Sequence, residues 1–363
     1  MIIIKKLNEL RIGDLVAKVP ILQGAMGIGV SLSGLAAAVA NAGGIGVISG
    51  VQTGFREPDF VTNNFEANRR SIIAQIRKAR ELTDGIIGIN VLAAMNNYKE
   101  LVMTAINEGI DLVVTGAGLP LDLPELVAGT KTKIAPIVSS GKAAGLISKV
   151  YDKKFQRTAD LFIVEGPEAG GHLGFKKEEM ESGSYKTLEQ LIPEVIEAIR
   201  PYEEKYGIKI PVIAAGGIFT GHDIAKFLKL GASGVQMATR FVGTEECDAH
   251  LNFKMAYVNA KKEDIRLISS PVGMPGRAIQ NDFTRTLDQG RIRVRRCYKC
   301  LAPCDPKTTP YCISDALMSS VQGENGLVFA GSNAYRVNEI VKVQDLINEL
   351  VSEAEQDLAS DQP

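Results

Sequence analysis

The sequence predicts an α/β fold, a closed TIM (β/α)8 barrel followed by a helical, cysteine-containing C-terminal extension. Three observations predict it. Eight short apolar runs alternate with helix-length stretches between residues 19 and 241, the pattern of parallel strands joined by helical crossovers. The 36 glycines among 363 residues fall mostly at the ends of those runs, where strand-to-helix loops need them. An open doubly wound sheet, the rival, usually carries a G-x-G-x-x-G turn near its start. Residues 24–29 read G-A-M-G-I-G instead.

The elements follow in order. Residues 19–23 form the first strand, and 31–41, rich in Ala and Leu, the first helix, capped by Ser31 or Ser33. Gly43-Gly44 stops that helix, and 45–49 is the second strand. Residues 72–82 are helical, 86–91 a strand ending near Asn90, 98–108 a helix and 112–115 a strand. Residues 134–138 and 142–150 make the next strand and helix. The sixth strand is 161–164. A long helix over 188–206 carries Pro193 in its first turns, where proline is tolerated. Residues 210–214 are the seventh strand, 222–230 a helix and 234–237 the eighth strand.

The barrel thus spans 10–245, and 246–357 forms an extension packed on it. In the extension, 246–259, 315–321 and 343–355 read as helices. Residues 270–280 read as a loop over the barrel mouth, and 358–363 as a frayed end.

A hydrophobic share of 45% supports a large core, and the net charge of −1 gives no general attraction to nucleic acid or membrane. No apolar stretch is long enough to span a bilayer. Residues 1–6 are too short for a signal sequence, so a cytoplasmic protein is expected. The expected partner is a small molecule, and a homodimer is compatible with the sequence.

The stretch that carries most chemistry is 162–174, F-I-V-E-G-P-E-A-G-G-H-L-G. A strand ends there in a glycine loop holding His172, one of three histidines. Glycine lets the backbone approach a bound group, and barrel chemistry sits at the C-terminal ends of strands. Two further loops, 214–218 and 236–241, follow strands seven and eight, the usual phosphate site of such barrels. Lys142, after strand five, is a candidate to neutralise a bound anion. His222 and His250 read as surface or structural residues. Cys297, Cys300, Cys304 and Cys312 are spaced C-x2-C-x3-C-x7-C. Four thiolates so close suit Zn²⁺ or a [4Fe–4S] cluster, although reduced thiols in a proline-rich loop satisfy the same spacing.

With P-I-L-Q-G-A-M-G at 20–27, G-I-N-V at 88–91, E-G-P-E-A-G-G-H-L-G at 165–174, P-V-I-A-A-G-G-I at 211–218 and Q-M-A-T-R-F at 236–241, the chain resembles the FMN-dependent nitronate monooxygenase (2-nitropropane dioxygenase) family. It also resembles that family's relative, the flavin-dependent enoyl-ACP reductase II. The resemblance implies FMN at the barrel mouth. Gln23, Gly24, Ala25 and Met26 would pack under the flavin ring through their backbone. Asn90 and Glu165 would contact the ring or ribityl chain, with Glu165 standing where many relatives have Gln. Gly170 and Gly171 would lie beside the ring, and catalytic His172 would face it. Gly216, Gly217, Gln236, Ala238 and Thr239 would complete the cofactor site, with Ala238 standing where the family usually has Gly.

The activity implied first is oxidation of alkyl nitronates. The alternative is reduction of an enoyl thioester with NAD(P)H. A phosphate-binding isomerase or lyase barrel would explain Gly216-Gly217 but not 20–27 together with Gly170-Gly171-His172. A catalytically idle barrel whose basic tail docks a partner is the remaining alternative.

Overall fold

Apolar residues occupy nearly every position of the eight barrel strands, as expected for strands covered on both faces. The computed structural model describes residues 6–360. The strands are β1 (Ile21–Gln23), β2 (Gly46–Ser49), β3 (Ile87–Asn90), β4 (Leu112–Thr115), β5 (Lys133–Val138), β6 (Phe162–Glu165), β7 (Val212–Ala215) and β8 (Gly234–Met237). Each pairs in parallel with its neighbours. β8 pairs with β1, and a parallel bridge from Leu22 to Ile45 closes the ring between β1 and the start of β2. All eight lie within two residues of their predicted positions.

The barrel interior is filled, not hollow. Leu22, Val47, Leu112, Val114, Ile163 and Ile213 stack inside it. A hairpin that the sequence reading did not separate, Leu10–Ile12 with Leu15–Ala17, feeds Leu10, Ile12 and Ala17 into the same cluster. Outside, the helices Ser33–Asn41, Asn64–Leu82, Tyr98–Asn107, Gly141–Phe155, Leu188–Tyr206 and Gly221–Lys229 cover the strands. The second of these begins eight residues before its predicted start. Asn and Arg residues there blurred the apolar period, yet Ala67, Asn68 and Ser71 are buried.

Residues 246–357 do not stand apart from the barrel. The helix expected over 343–355 runs as Val343–Ser360 and contributes Val343, Leu346, Ile347, Leu350 and Ala354 to the main strand–helix core. The Glu353 carboxylate accepts from the Gly221 N–H at 2.7 Å. The described part of the predicted frayed end, 358–360, is therefore helical. Residues 1–5 and 361–363, which carry most of the signal reading and the rest of that end, lie outside the described residues. The helix expected over 246–259 is shorter, Leu251–Val258, with the His250 ring accepting from the Asn252 N–H at its start.

The predicted mouth loop, 270–280, needs correction. Residues Pro275–Ile279 form a strand paired antiparallel with Ile265–Ser269, and on its other edge with Gly171–His172. Prolines and glycines hid it, since Pro275 stands at the strand's first position, where no donor is needed. Among the described residues no helix is long and apolar enough to cross a membrane.

Candidate active site

The C-terminal ends of the barrel strands open on a cavity of about 470 Å³. Its wall gathers residues far apart in sequence: Gly24, Ala25 and Met26 after β1, Asn90 at the end of β3, Glu165 at the end of β6, Gly170–His172 beyond it, Gly216 and Gly217 after β7, and Gln236, Ala238 and Thr239 at and after β8. Of the predicted cofactor residues, Gln23 alone does not line it. Its side chain is fully buried. The amide nitrogen donates to the Gly24 carbonyl at 2.6 Å and to Ser31 Oγ at 2.9 Å, and its oxygen accepts from the Val47 N–H at 3.0 Å. Gln23 thus shapes the loop under the cavity from behind. Lys142 is exposed on its helix and absent from the wall.

The two loops after β7 and β8 have the backbone such a site needs. Gly216 and Gly217 have φ of 95° and 85°, left-handed values that side chains seldom adopt. A Cβ on Gly216 would stand 3.0 Å from the Ala169 nitrogen and 3.1 Å from the Gly166 carbonyl oxygen. Ala238 has φ −123°, so alanine fits there without strain.

His172 is held by the extension. Its backbone pairs with Gly276, and the Leu173 N–H donates to the Pro275 carbonyl at 2.9 Å. Its Nε2 lies 2.7 Å from Ser270 Oγ, and its ring meets Phe329 edge-on at 5.1 Å. Burial lowers its pKa to about 4, so the ring is neutral at pH 7. Arg277, one residue from His172's pairing partner, donates to the carbonyls of Pro167 and Ala169 and holds the loop between β6 and His172. Ser270, Arg277 and Phe329 were not singled out in the sequence. Nothing marked them there, because their meaning comes from the strand pairing.

Two further polar groups face the cavity without partners. Asn90 Oδ1 is buried and accepts no hydrogen bond from protein. The Glu165 carboxyl lines the cavity, and burial raises its pKa to about 7. The two shifts act oppositely on stability. Between about pH 4 and 6.5 unfolded His172 binds more protons than folded, so its contribution is lost as pH falls. Between about pH 4.5 and 7 folded Glu165 binds more protons, so its contribution is lost as pH rises. Glu165→Gln, which cannot ionise, is therefore expected to gain stability over the parent on going from pH 5 to pH 8. Paired thermal melts of flavin-free protein across that range check this, and a pH-independent difference would contradict it.

The four C-terminal cysteines have unlike surroundings. Among the described residues no group of three or more His, Cys, Asp or Glu side chains is arranged to hold an ion. Cys300 instead lines the cavity. Cys297 is exposed, with its Sγ accepting from the Lys299 N–H at 3.4 Å, while Cys300 and Cys304 pack against an apolar cluster. Burial raises the Cys300 thiol and pushes Cys312 up to about 12. Both effects favour the protonated thiol.

A family model described as nitronate monooxygenase matches residues 9–353. The chain belongs to that family. It is an oxidoreductase family, which removes the isomerase or lyase alternative. The chain is 31% identical over 271 residues to a Mycobacterium tuberculosis (3aS,4S,5R,7aS)-5-hydroxy-7a-methyl-1-oxo-octahydro-1H-indene-4-carboxyl-CoA dehydrogenase, covering 75% of this chain and 66% of that one. The match thus spans just under two thirds of that relative. It is 26% identical to a probable nitronate monooxygenase of Bacillus subtilis, over 92% of this chain and 95% of the relative. Among solved structures, FabK from Thermotoga maritima superposes with a TM-score of 0.71 at 26% identity, covering 94% of each chain. Nitroalkane oxidase from Streptomyces ansochromogenes superposes at 0.69 with 22% identity, over 94% of this chain and 97% of the other, a likeness of fold.

Proposed function

We propose that the chain is an FMN-dependent oxidoreductase that reduces the carbon–carbon double bond of an enoyl thioester, with NAD(P)H as reductant. The observation that carries the substrate class is the charge of the cavity wall. Its lining residues include Glu165, Glu168 and a neutral His172 but no lysine or arginine. An anionic nitronate would meet no cation there, whereas a thioester carbonyl needs only a hydrogen-bond donor. Met95, Leu119, Met274, Leu301, Ile313 and Leu317 supply an apolar surface for an acyl chain. Two relatives support the reading by name, the carboxyl-CoA dehydrogenase and FabK, an enoyl-ACP reductase II.

The residues present fit FMN. Gly216, Gly217, Ala238 and Thr239 would hold its phosphate through backbone N–H groups. Gly24, Ala25, Met26, Gly170 and Gly171 offer surfaces free of long side chains for the ring. Asn90 Oδ1, buried and unpaired, together with Glu165 and Gln236, would meet its polar groups. When bound, FMN would supply the hydride transfer that no side chain can perform.

His172 would then act on the substrate through Nδ1, the ring nitrogen without a protein partner among the described residues. If Ser270 Oγ–H donates to Nε2, the proton of the neutral ring resides on Nδ1. That N–H can hold the thioester oxygen and pass on its proton. Ser270 thereby sets the tautomer.

Oxidation of alkyl nitronates is the second reading. It draws support from the family model and from the probable nitronate monooxygenases. Here Nδ1 would hold the anionic oxygen. The visible spectrum of anaerobic protein, titrated in separate samples with NADH and with an alkyl nitronate, tests both. Bleaching by NADH and recovery on adding crotonyl-CoA would support the thioester reading. Bleaching by nitronate with indifference to NADH would replace it with the second. Absence of any flavin band, unrestored by added FMN, would overturn both.

A further inference from the structure

The segment between the helices Asp282–Asp288 and Ile313–Val321 has two unlike sides. It is stitched to the loop after β3. The Asn96 amide donates to the Lys299 carbonyl at 2.6 Å, the Asn96 N–H to the Cys300 carbonyl at 3.2 Å, and the Ala302 N–H to the Ala94 carbonyl at 3.0 Å. On its inner side Ile292, Tyr298 and Cys300 pack in an apolar cluster with buried Leu301. Tyr298 stacks near Phe60 at 5.4 Å and donates to Asp315 at 2.6 Å. Cys300 and Leu301 form part of the cavity wall. This strap therefore has one fixed side, and that side belongs to the site.

On the outer side Arg293, Arg295, Arg296 and Lys299 are exposed. Among the described residues no carboxylate forms an ion pair with any of them. Elsewhere the arginines Arg70, Arg77, Arg80, Arg157, Arg240 and Arg266 each hold a carboxylate. The strap thus concentrates four cations without a carboxylate partner within seven residues, on the back of a cavity wall whose described residues include none. The matching ligand has an uncharged reactive end and a polyanionic far end. Guanidinium groups suit phosphate oxygens in particular, through paired N–H donors.

We propose that Arg293, Arg295, Arg296 and Lys299 bind the phosphates of a coenzyme A thioester whose acyl end enters the cavity beside Cys300 and Leu301. The proposal rests on the thioester reading above and adds the carrier of the acyl group and where it is held. No bond is made or broken at the strap.

The test compares the parent with Arg293→Glu/Arg295→Glu and, separately, with Lys299→Asn. Lys299 has φ 49°, a value that asparagine tolerates, so the second variant removes charge without new backbone strain. Calorimetric titration with coenzyme A itself is read first, because it needs no turnover. The double variant is expected to lose about ten-fold or more in affinity, and Lys299→Asn roughly two- to five-fold, as for exposed charge pairs. Binding by the parent should weaken as salt rises, and far less so in the double variant. With flavin-loaded enzyme, KM for crotonyl-CoA should rise in parallel while kcat holds. KM for the same acyl group on N-acetylcysteamine, which lacks phosphates, should not move. Equal coenzyme A affinity in parent and variants, or no affinity in the parent, overturns the strap assignment. A strap effect confined to an acyl carrier protein, with crotonyl-CoA unaffected, overturns it too. Coenzyme A binding that depends on the strap, in protein that neither takes up flavin nor turns over a thioester, would sink the reading of the site while sustaining the strap.

Discussion

Replacing His172 with alanine is expected to slow turnover by roughly two to four orders of magnitude, the usual loss when a positioned acid–base group is removed. Flavin content should be retained. The reason for that split is geometric. His172 belongs to the cavity wall through its side chain, but its loop is held by backbone pairing to Gly276 and by Arg277 donating to Pro167 and Ala169. None of these contacts uses the imidazole. What the imidazole does touch is Ser270 and Phe329. The loss of that packing should lower stability modestly, and a melt read alongside the kinetics measures it. Because the ring is neutral down to about pH 4, the parent's rate should show no inflection from His172 between pH 6 and 8. Unchanged kcat in the alanine variant would remove His172 from the chemistry.

Gly216→Val is expected to abolish flavin retention. Two costs combine at this position. The first is backbone strain: φ is 95°, and a branched side chain held there costs about 1–3 kcal/mol. The second is crowding. The new Cβ would meet the Ala169 nitrogen and the Gly166 carbonyl oxygen at 3.0 and 3.1 Å. Both are backbone atoms of the loop carrying His172, so no flexible side chain can give way. Relief comes only by moving one of these two touching loops, one of which belongs to the proposed phosphate site. Gly183→Ala separates the two costs. Gly183 also has positive φ, 70°, but nothing lies within 4 Å of its virtual Cβ. It should lose only stability and keep its flavin. Absorbance of the purified proteins before and after incubation with FMN checks both. Full occupancy in Gly216→Val would contradict the cradle.

The parts of the site that the sequence exposed are those written in local backbone needs. Gly216-Gly217 and Gly170-Gly171 stand out because only glycine serves there, and each loop directly follows its strand. Asn90 and Glu165 were named through the family resemblance, and the structure places them as the last residues of their strands. Gln23 shows that motif membership does not distinguish a wall from its support. Its amide hydrogen bonds to Gly24, Ser31 and Val47 keep it out of the cavity. For the cysteines, spacing shows only that four thiols are close along the chain. Which of them turns toward Leu301 and which toward water depends on the cluster beneath them.

The order of strands and helices and the placing of glycine loops at strand ends were determined by the sequence alone, since period and turn chemistry are properties of neighbours along the chain. Tertiary structure decided what surrounds His172. The hairpin of residues 265–279 reaches the short strand Gly171–His172, Ser270 meets the imidazole, Val343–Ser360 returns to the barrel wall, and the strap brings Cys300 and Leu301 into the cavity. Each of these joins segments tens to hundreds of residues apart. Such pairings depend on buried apolar area and unsatisfied backbone groups finding each other in space, and no local pattern records them.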